Sequence, residues 1–259
     1  METFTFTYET GDSSRPALVF LHGGGLSSKS WHPVIERLPD FYCLAPDLPG
    51  HGQSKDRPLT LEASAQAVIE VIRQKIPGGQ AHLVGLSWGG AVILTILRTA
   101  PEVATSAILS GSSGRMPRWS VRASLPTLAL LRFFKPETLA KLTMKQQGIP
   151  DQYDELLHDD LLDSSQAAFM KQLYLGLADL NPPQEVTCPL LVCSGEKDPG
   201  VSKWYGAVSL RPLRYASAQS VLMPGAGHAW PLQVPDVFAE MVRAWVTRKP
   251  LPVVFKRLK

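Results

Sequence analysis

The stretch His82-Leu83-Val84-Gly85-Leu86-Ser87-Trp88-Gly89-Gly90-Ala91-Val92 decides the fold. An apolar run over residues 81–86 has the length of a buried strand, and residues 89–99 form an apolar run long enough for a helix. Between them lies Gly85-Leu86-Ser87-Trp88-Gly89, a G-x-S-x-G set in a strand-to-helix turn. A serine in so sharp a turn holds a strained backbone. Its hydroxyl projects above the sheet edge, at the positive end of the following helix. The glycines two before and two after it remove side chains that would clash in the turn.

Outward from this stretch the rhythm continues in both directions. Strands are expected at residues 3–9, 17–21, 42–45, 104–110, 189–194 and 219–223, besides 81–86. Helices are expected at residues 31–38, 60–76 with Thr60 as N-cap, 89–99 and 236–247. Alternating strands and helices require crossover connections, hence a mostly parallel sheet. The expected fold class is therefore α/β: seven or eight strands flanked by helices, with only the first strand antiparallel.

One segment breaks the rhythm. Residues 112–183 carry helical patterns at 124–134, 136–146, 153–162 and 165–177 and no convincing strand. That is too long for a crossover, and inserts of this kind usually cover a site. The expected organisation is a core of residues 1–111 and 184–259 with an inserted helical cap at 112–183.

Composition narrows the function classes. Hydrophobic residues make up 44% of the 259, which suits a globular chain and excludes a mostly disordered one. The net charge is +3, from 26 basic and 23 acidic residues, too balanced to argue for nucleic acid. The basic tail from Arg248 to Lys259 reads as a solvated terminus. No window has the length of a spanning helix, and the N-terminus lacks a signal-peptide pattern, so no membrane partner and a cytoplasmic location are expected. Cys43, Cys188 and Cys193 sit in apolar stretches and read as buried thiols; no zinc or iron–sulfur pattern is present. No metal and no cofactor are expected.

A serine hydroxyl needs a base. Of six histidines, His228 stands out. It lies in Pro224-Gly225-Ala226-Gly227-His228, directly after the last expected strand, at the same carboxyl edge as Ser87. His32, His82 and His158 have no informative neighbours. The base needs a carboxylate to fix its tautomer. Asp198 follows the strand at 189–194 and is preferred, with Glu196 as its rival; Asp47 reads as a brace for the Pro49-Gly50-His51-Gly52 loop. The charge developing on an attacked carbonyl needs two donors. Trp88 offers one backbone N–H, and Gly24 of His22-Gly23-Gly24-Gly25 the other, with Gly25 as the close rival.

These motifs together resemble the α/β-hydrolase superfamily, in its serine carboxylesterase-like branch with a helical cap. The stretches that carry the resemblance are 18–25, 45–54, 82–92, 189–202 and 224–238, in the family's order across nearly the whole chain. The resemblance implies Ser87 as nucleophile, Asp198 as acid, His228 as base, and Gly24 and Trp88 as the oxyanion hole. A serine at the elbow argues against the epoxide hydrolases and haloalkane dehalogenases of this fold, which use an aspartate. The expected substrate is a small to medium carboxylic ester, acted on by a monomer or homodimer. Lactonase, thioesterase, carbon–carbon bond hydrolase, peptidase and perhydrolase activities use the same triad, and a small-ligand receptor on this fold is the reading from another class.

Overall fold

A computed structural model describes residues 5–112, 115–198, 214–215 and 218–257. The strands are β1 (Thr7–Thr10), β2 (Ala17–Leu21), β3 (Tyr42–Pro46), β4 (Ala81–Leu86), β5 (Ala104–Ser110), β6 (Glu185–Val186), β7 (Leu190–Gly195), β8 (Arg214–Tyr215), β9 (Ala218–Met223) and β10 (Lys256–Arg257). Eight of them form one sheet in the order β1-β3-β2-β4-β5-β7-β9-β10, and β6 pairs with β8 in a separate two-stranded ladder. The six central strands are parallel. β1 is antiparallel to β3, so Thr7 faces Pro46 and Thr10 faces Cys43. The first part of the expected strand at 3–9 lies outside the described residues.

The opposite edge departs from the expectation of a single antiparallel strand. β10 also runs antiparallel, with Lys256 opposite Leu222. The tail is docked rather than wholly solvated: Leu251 and Phe255 are buried, while Lys256 and Arg257 keep their side chains exposed. A two-residue strand has no readable period, and the buried phenylalanine just before it supplies the anchoring.

The sheet is covered on both faces, which is why its central strands are apolar throughout. On one face lie α2 (Leu61–Lys75) and α3 (Trp88–Thr99), with Val68, Ile72, Val92 and Ile96 fully buried. Thr60 caps α2 by accepting from the Ala63 N–H at 3.1 Å. On the other face lie α1 (His32–Ile35), α8 (Trp230–Gln233) and α9 (Pro235–Val246). Their core is aromatic: Trp31, Trp230 and Phe238 meet there with ring centroids 4.6–5.5 Å apart.

Four helices stand between β5 and β6: α4 (Arg118–Leu130), α5 (Pro136–Gln147), α6 (Asp154–Ser164) and α7 (Ala167–Asp179). Leu157, Leu161 and Met144 of this insert share a buried cluster with Leu26 and Leu232 of the core. Among the described residues no helix is long and apolar enough to cross a membrane.

Candidate active site

Ser87 sits between β4 and α3 with φ 53° and ψ −109°. An L-residue rarely adopts this backbone. Packing enforces it. A Cβ on Gly85 would lie 2.6 Å from the Gly89 backbone, and a Cβ on Gly89 would lie 2.1 Å from the carbonyl oxygen of Leu21. Only glycine fits at either position. The Ser87 N–H donates to the Ser110 carbonyl at 2.8 Å, which ties the turn to the end of β5.

The loops after β7 and β9 are stitched together. Glu196 N–H donates to the Met223 carbonyl at 2.9 Å, and Lys197 N–H to the Ala226 carbonyl at 2.8 Å. This brings His228 Nδ1 to 2.7 Å from Asp198 Oδ2. The same carboxylate oxygen accepts from Ser194 Oγ at 3.0 Å. Asp198 is 1% exposed, whereas the His228 side chain is 22% exposed, so the imidazole has one buried and one accessible end. At Gly111, one residue past the Ser110 carbonyl that holds Ser87, a Cβ would lie 3.0 Å from His228 Cε1 and 3.1 Å from Asp198 Oδ2. Ser87, Asp198 and His228 are thus gathered around the end of β5.

Glu196, the rival carboxylate, is engaged elsewhere. It accepts from the Gly225 N–H at 3.0 Å and pairs with Lys256, and the Lys256 hydrogen bond holds its carboxyl below the usual range.

Helix α7 of the insert covers the two residues expected to hold an oxyanion. Leu173 approaches Gly24 so closely that a Cβ there would meet it at 2.6 Å. Gly176 lies against the indole of the buried Trp88. Gly25 carries φ +82°, so it makes the turn of the glycine loop. Phe169, also on α7, stands edge-on to His51 with centroids 5.1 Å apart.

Three polar residues brace these loops. Asp47 accepts from the N–H groups of Ser28 and Gln53, each at 2.8 Å, and so joins the two loops after β2 and β3. His22 accepts from the Leu48 N–H at 2.9 Å through Nε2, which places its proton on Nδ1, facing the Gly23 carbonyl at 2.9 Å. Burial pushes His22 down to about 4, so this bridge is neutral near pH 7. Asp160 of α6 accepts from Ser27 Oγ at 2.6 Å, a buried link between insert and core, and burial pushes its carboxyl up to about 6. Sequence reading assigned nothing to Asp160; its partner is 133 positions away, and nothing in the acidic run around it distinguishes it.

Comparison with known proteins agrees with this architecture. Residues 18–241 match the model of the alpha/beta hydrolase family. A pimeloyl-[acyl-carrier protein] methyl ester esterase from Nitrosomonas europaea is 32% identical over 243 residues, covering 86% of this chain and 92% of that protein. A thermophilic esterase from Thermogutta terrifontis superposes with a TM-score of 0.76 at 22% identity, covering 94% of this chain and 93% of the other. The enol-lactonase from Burkholderia xenovorans LB400 superposes with a TM-score of 0.75 at 21% identity, covering 93% and 96%. With a family match over most of its length and a glycine-enforced serine turn beside a bonded Asp–His pair, the chain belongs to the alpha/beta hydrolase family.

Proposed function

We propose that this chain is a serine hydrolase of carboxylic esters, with Ser87 as nucleophile, His228 as base and Asp198 as the acid that orients it. The observation that carries the reading is the 2.7 Å His228–Asp198 hydrogen bond beside the strained Ser87 turn. With Asp198 accepting at Nδ1, the histidine presents Nε2 unprotonated, the tautomer a base requires. Ser87 Oγ attacks the ester carbonyl while His228 takes its proton. The tetrahedral oxyanion is held by the backbone N–H groups of Gly24 and Trp88. Trp88 opens α3, and the first N–H groups of a helix have no acceptor within it. The oxyanion collapses, the C–O bond to the alcohol breaks, and His228 returns its proton to the leaving oxygen. Water then attacks the acyl-enzyme by the reverse route, releasing the acid and restoring Ser87.

Helices α4 to α7 act in this reading as a cap, residues 112–183, over a core of residues 1–111 and 184–259. Leu173 and Phe169 give the cap an apolar underside near Gly24 and Gly25, which favours esters with a small to medium apolar acyl group. The relatives named as methyl ester esterases add methyl esters to the substrates worth testing. The three free, buried cysteines suit a reducing cytoplasm.

The test is hydrolysis of p-nitrophenyl esters of short and medium acids, and of the matching methyl esters, by wild type and Ser87→Ala side by side. Turnover in the first and none in the second is the expected result. Equal turnover in both would remove Ser87 from the mechanism.

A further inference from the structure

A cavity of about 380 Å³ opens at the amino ends of the central strands, beneath the end of α9. It is lined by the first residues of the central strands, among them His82 of β4, Ser106 of β5 and Gln219 of β9, and by Trp245, Arg248 and Lys249. His82 and Ser87 lie at opposite ends of one strand, about 16 Å apart at the usual rise per residue. The cavity is therefore separate from the site built on Ser87.

Its charge is one-sided. Among the described residues no carboxylate lines it. Among the described residues, neither Arg248 nor Lys249 has an ion pair or a side-chain hydrogen bond. His82 is neutral near pH 7: burial, then the Arg248 charge, pushes it down to about 4. Its Nδ1 lies 2.8 Å from Ser106 Oγ. Two exposed cations without an ion-pair partner among the described residues thus share the cavity with hydroxyl and amide groups, and Trp245 and Val246 add apolar surface to its lining.

The backbone of Arg248 adds an independent observation. Helix α9 ends in a Schellman motif: Lys249 N–H donates to the Ala244 carbonyl at 2.8 Å, and Arg248 N–H to the Trp245 carbonyl at 3.2 Å. The residue between, Arg248, has φ 56°. Glycine fills that position without steric cost, and it is the usual occupant. Ser87 and Arg248 are the two non-glycine residues with positive φ among the described residues. A strained backbone at a cation that no acidic group neutralises is a place to look for a ligand.

We propose that this cavity binds a small organic anion, a carboxylate or a phosphate monoester with a compact apolar group. The anionic end lies on Arg248 and Lys249 and the apolar part against Trp245 and Val246. Arg248 is then the specificity residue of the site, since its planar fork suits two oxygens of one anion.

The test is titration calorimetry of the full chain with benzoate and with phenyl phosphate, at constant ionic strength in chloride. Wild type, Ser87→Ala, Arg248→Gly and Lys249→Ala are compared, with melting curves for each. At least one anion is expected to bind wild type and Ser87→Ala equally, and to bind Arg248→Gly roughly tenfold or more weakly. Arg248→Gly is expected to melt no lower than wild type and to keep its ester hydrolysis. The stronger of the two probes identifies the anion class. Binding of neither at millimolar concentration, binding lost in Ser87→Ala, equal affinity in Arg248→Gly, or a marked fall in its melting temperature would each overturn the proposal.

Discussion

Ser87 and Arg248 share a backbone region that L-residues avoid, yet the molecule holds them there by different means. Around Ser87 the main chain is packed so closely that neither flanking glycine can take a Cβ without meeting backbone atoms. The serine is held in its strained conformation by main chain packed against both sides of the turn. Arg248 stands at an exposed helix end beside a cavity, where the next residue's N–H closes the helix. One conformation is enforced from outside by packing; the other is held by two hydrogen bonds at a helix terminus. The first kind of strain leaves a motif in the sequence, because its neighbours must be glycine. The second leaves none.

The sharpest test of the enforced end is Ser87→Ala. Alanine keeps the backbone conformation with no larger side chain, so the fold should survive while kcat falls by about 10⁴- to 10⁶-fold. A melting temperature well below wild type would mean that the hydroxyl contributes to the turn itself. Asp198→Asn should cost about 10⁴ in kcat, since an amide facing Nδ1 favours the wrong tautomer. Glu196→Gln, on the carboxylate paired with Lys256, should leave kcat within about twofold. If the two variants behaved alike, the assignment of Asp198 as the acid would fail.

Gly89→Ala probes the packing directly. Its Cβ would meet the Leu21 carbonyl oxygen at 2.1 Å, so α3 must shift away from β2, at a cost of roughly 3 kcal/mol or more. Gly78→Ala is the contrasting case: it has φ +82° but no atom within 4 Å, and should cost about 1–2 kcal/mol from backbone strain alone. Urea unfolding of both variants separates crowding from conformation; equal losses would show that the elbow is no more constrained than a surface turn.

The pH dependence of stability tests the buried groups rather than the turns. Burial pushes His22, His51 and His82 down to about 4, about 3 and about 4. Below about pH 6.5 the unfolded chain takes protons that these folded histidines refuse, so stability falls as pH drops toward 4. Asp160 works in the opposite sense. Its folded carboxyl, at about 6, holds a proton that the unfolded group releases near 3.8, so its contribution is lost as pH rises through 6. Three groups against one make acid destabilising, by an amount on the order of a few kcal/mol. Denaturation midpoints at pH 7 and pH 4.5 check this; an unchanged midpoint would show that water reaches these histidines.

What could be read in the sequence follows the same division. The strand–turn–helix around Ser87 was legible because periodicity and glycine spacing are local. That Asp198 and His228 lie together was legible because each follows a strand at the same end of the sheet. Asp47 was rightly read as a brace, and the structure adds that it reaches back to Ser28. β10 was not legible, since Lys256 and Arg257 form too short a strand to show alternation. The Ser27–Asp160 bond was hidden for another reason: one aspartate in a run of acidic residues differs from its neighbours only by what it touches. The residues whose place is set by distant parts of the chain carry no local signature.

The crowding at Gly89, where a Cβ would lie 2.1 Å from the Leu21 carbonyl oxygen, has a consequence for what the core can tolerate. Main chain sets the spacing between α3 and β2, so the position of the serine does not depend on which side chains fill the core around it. Solved structures that share only 18–23% of their residues with this chain still superpose with TM-scores of 0.70–0.76, so the fold does not require one particular set of side chains.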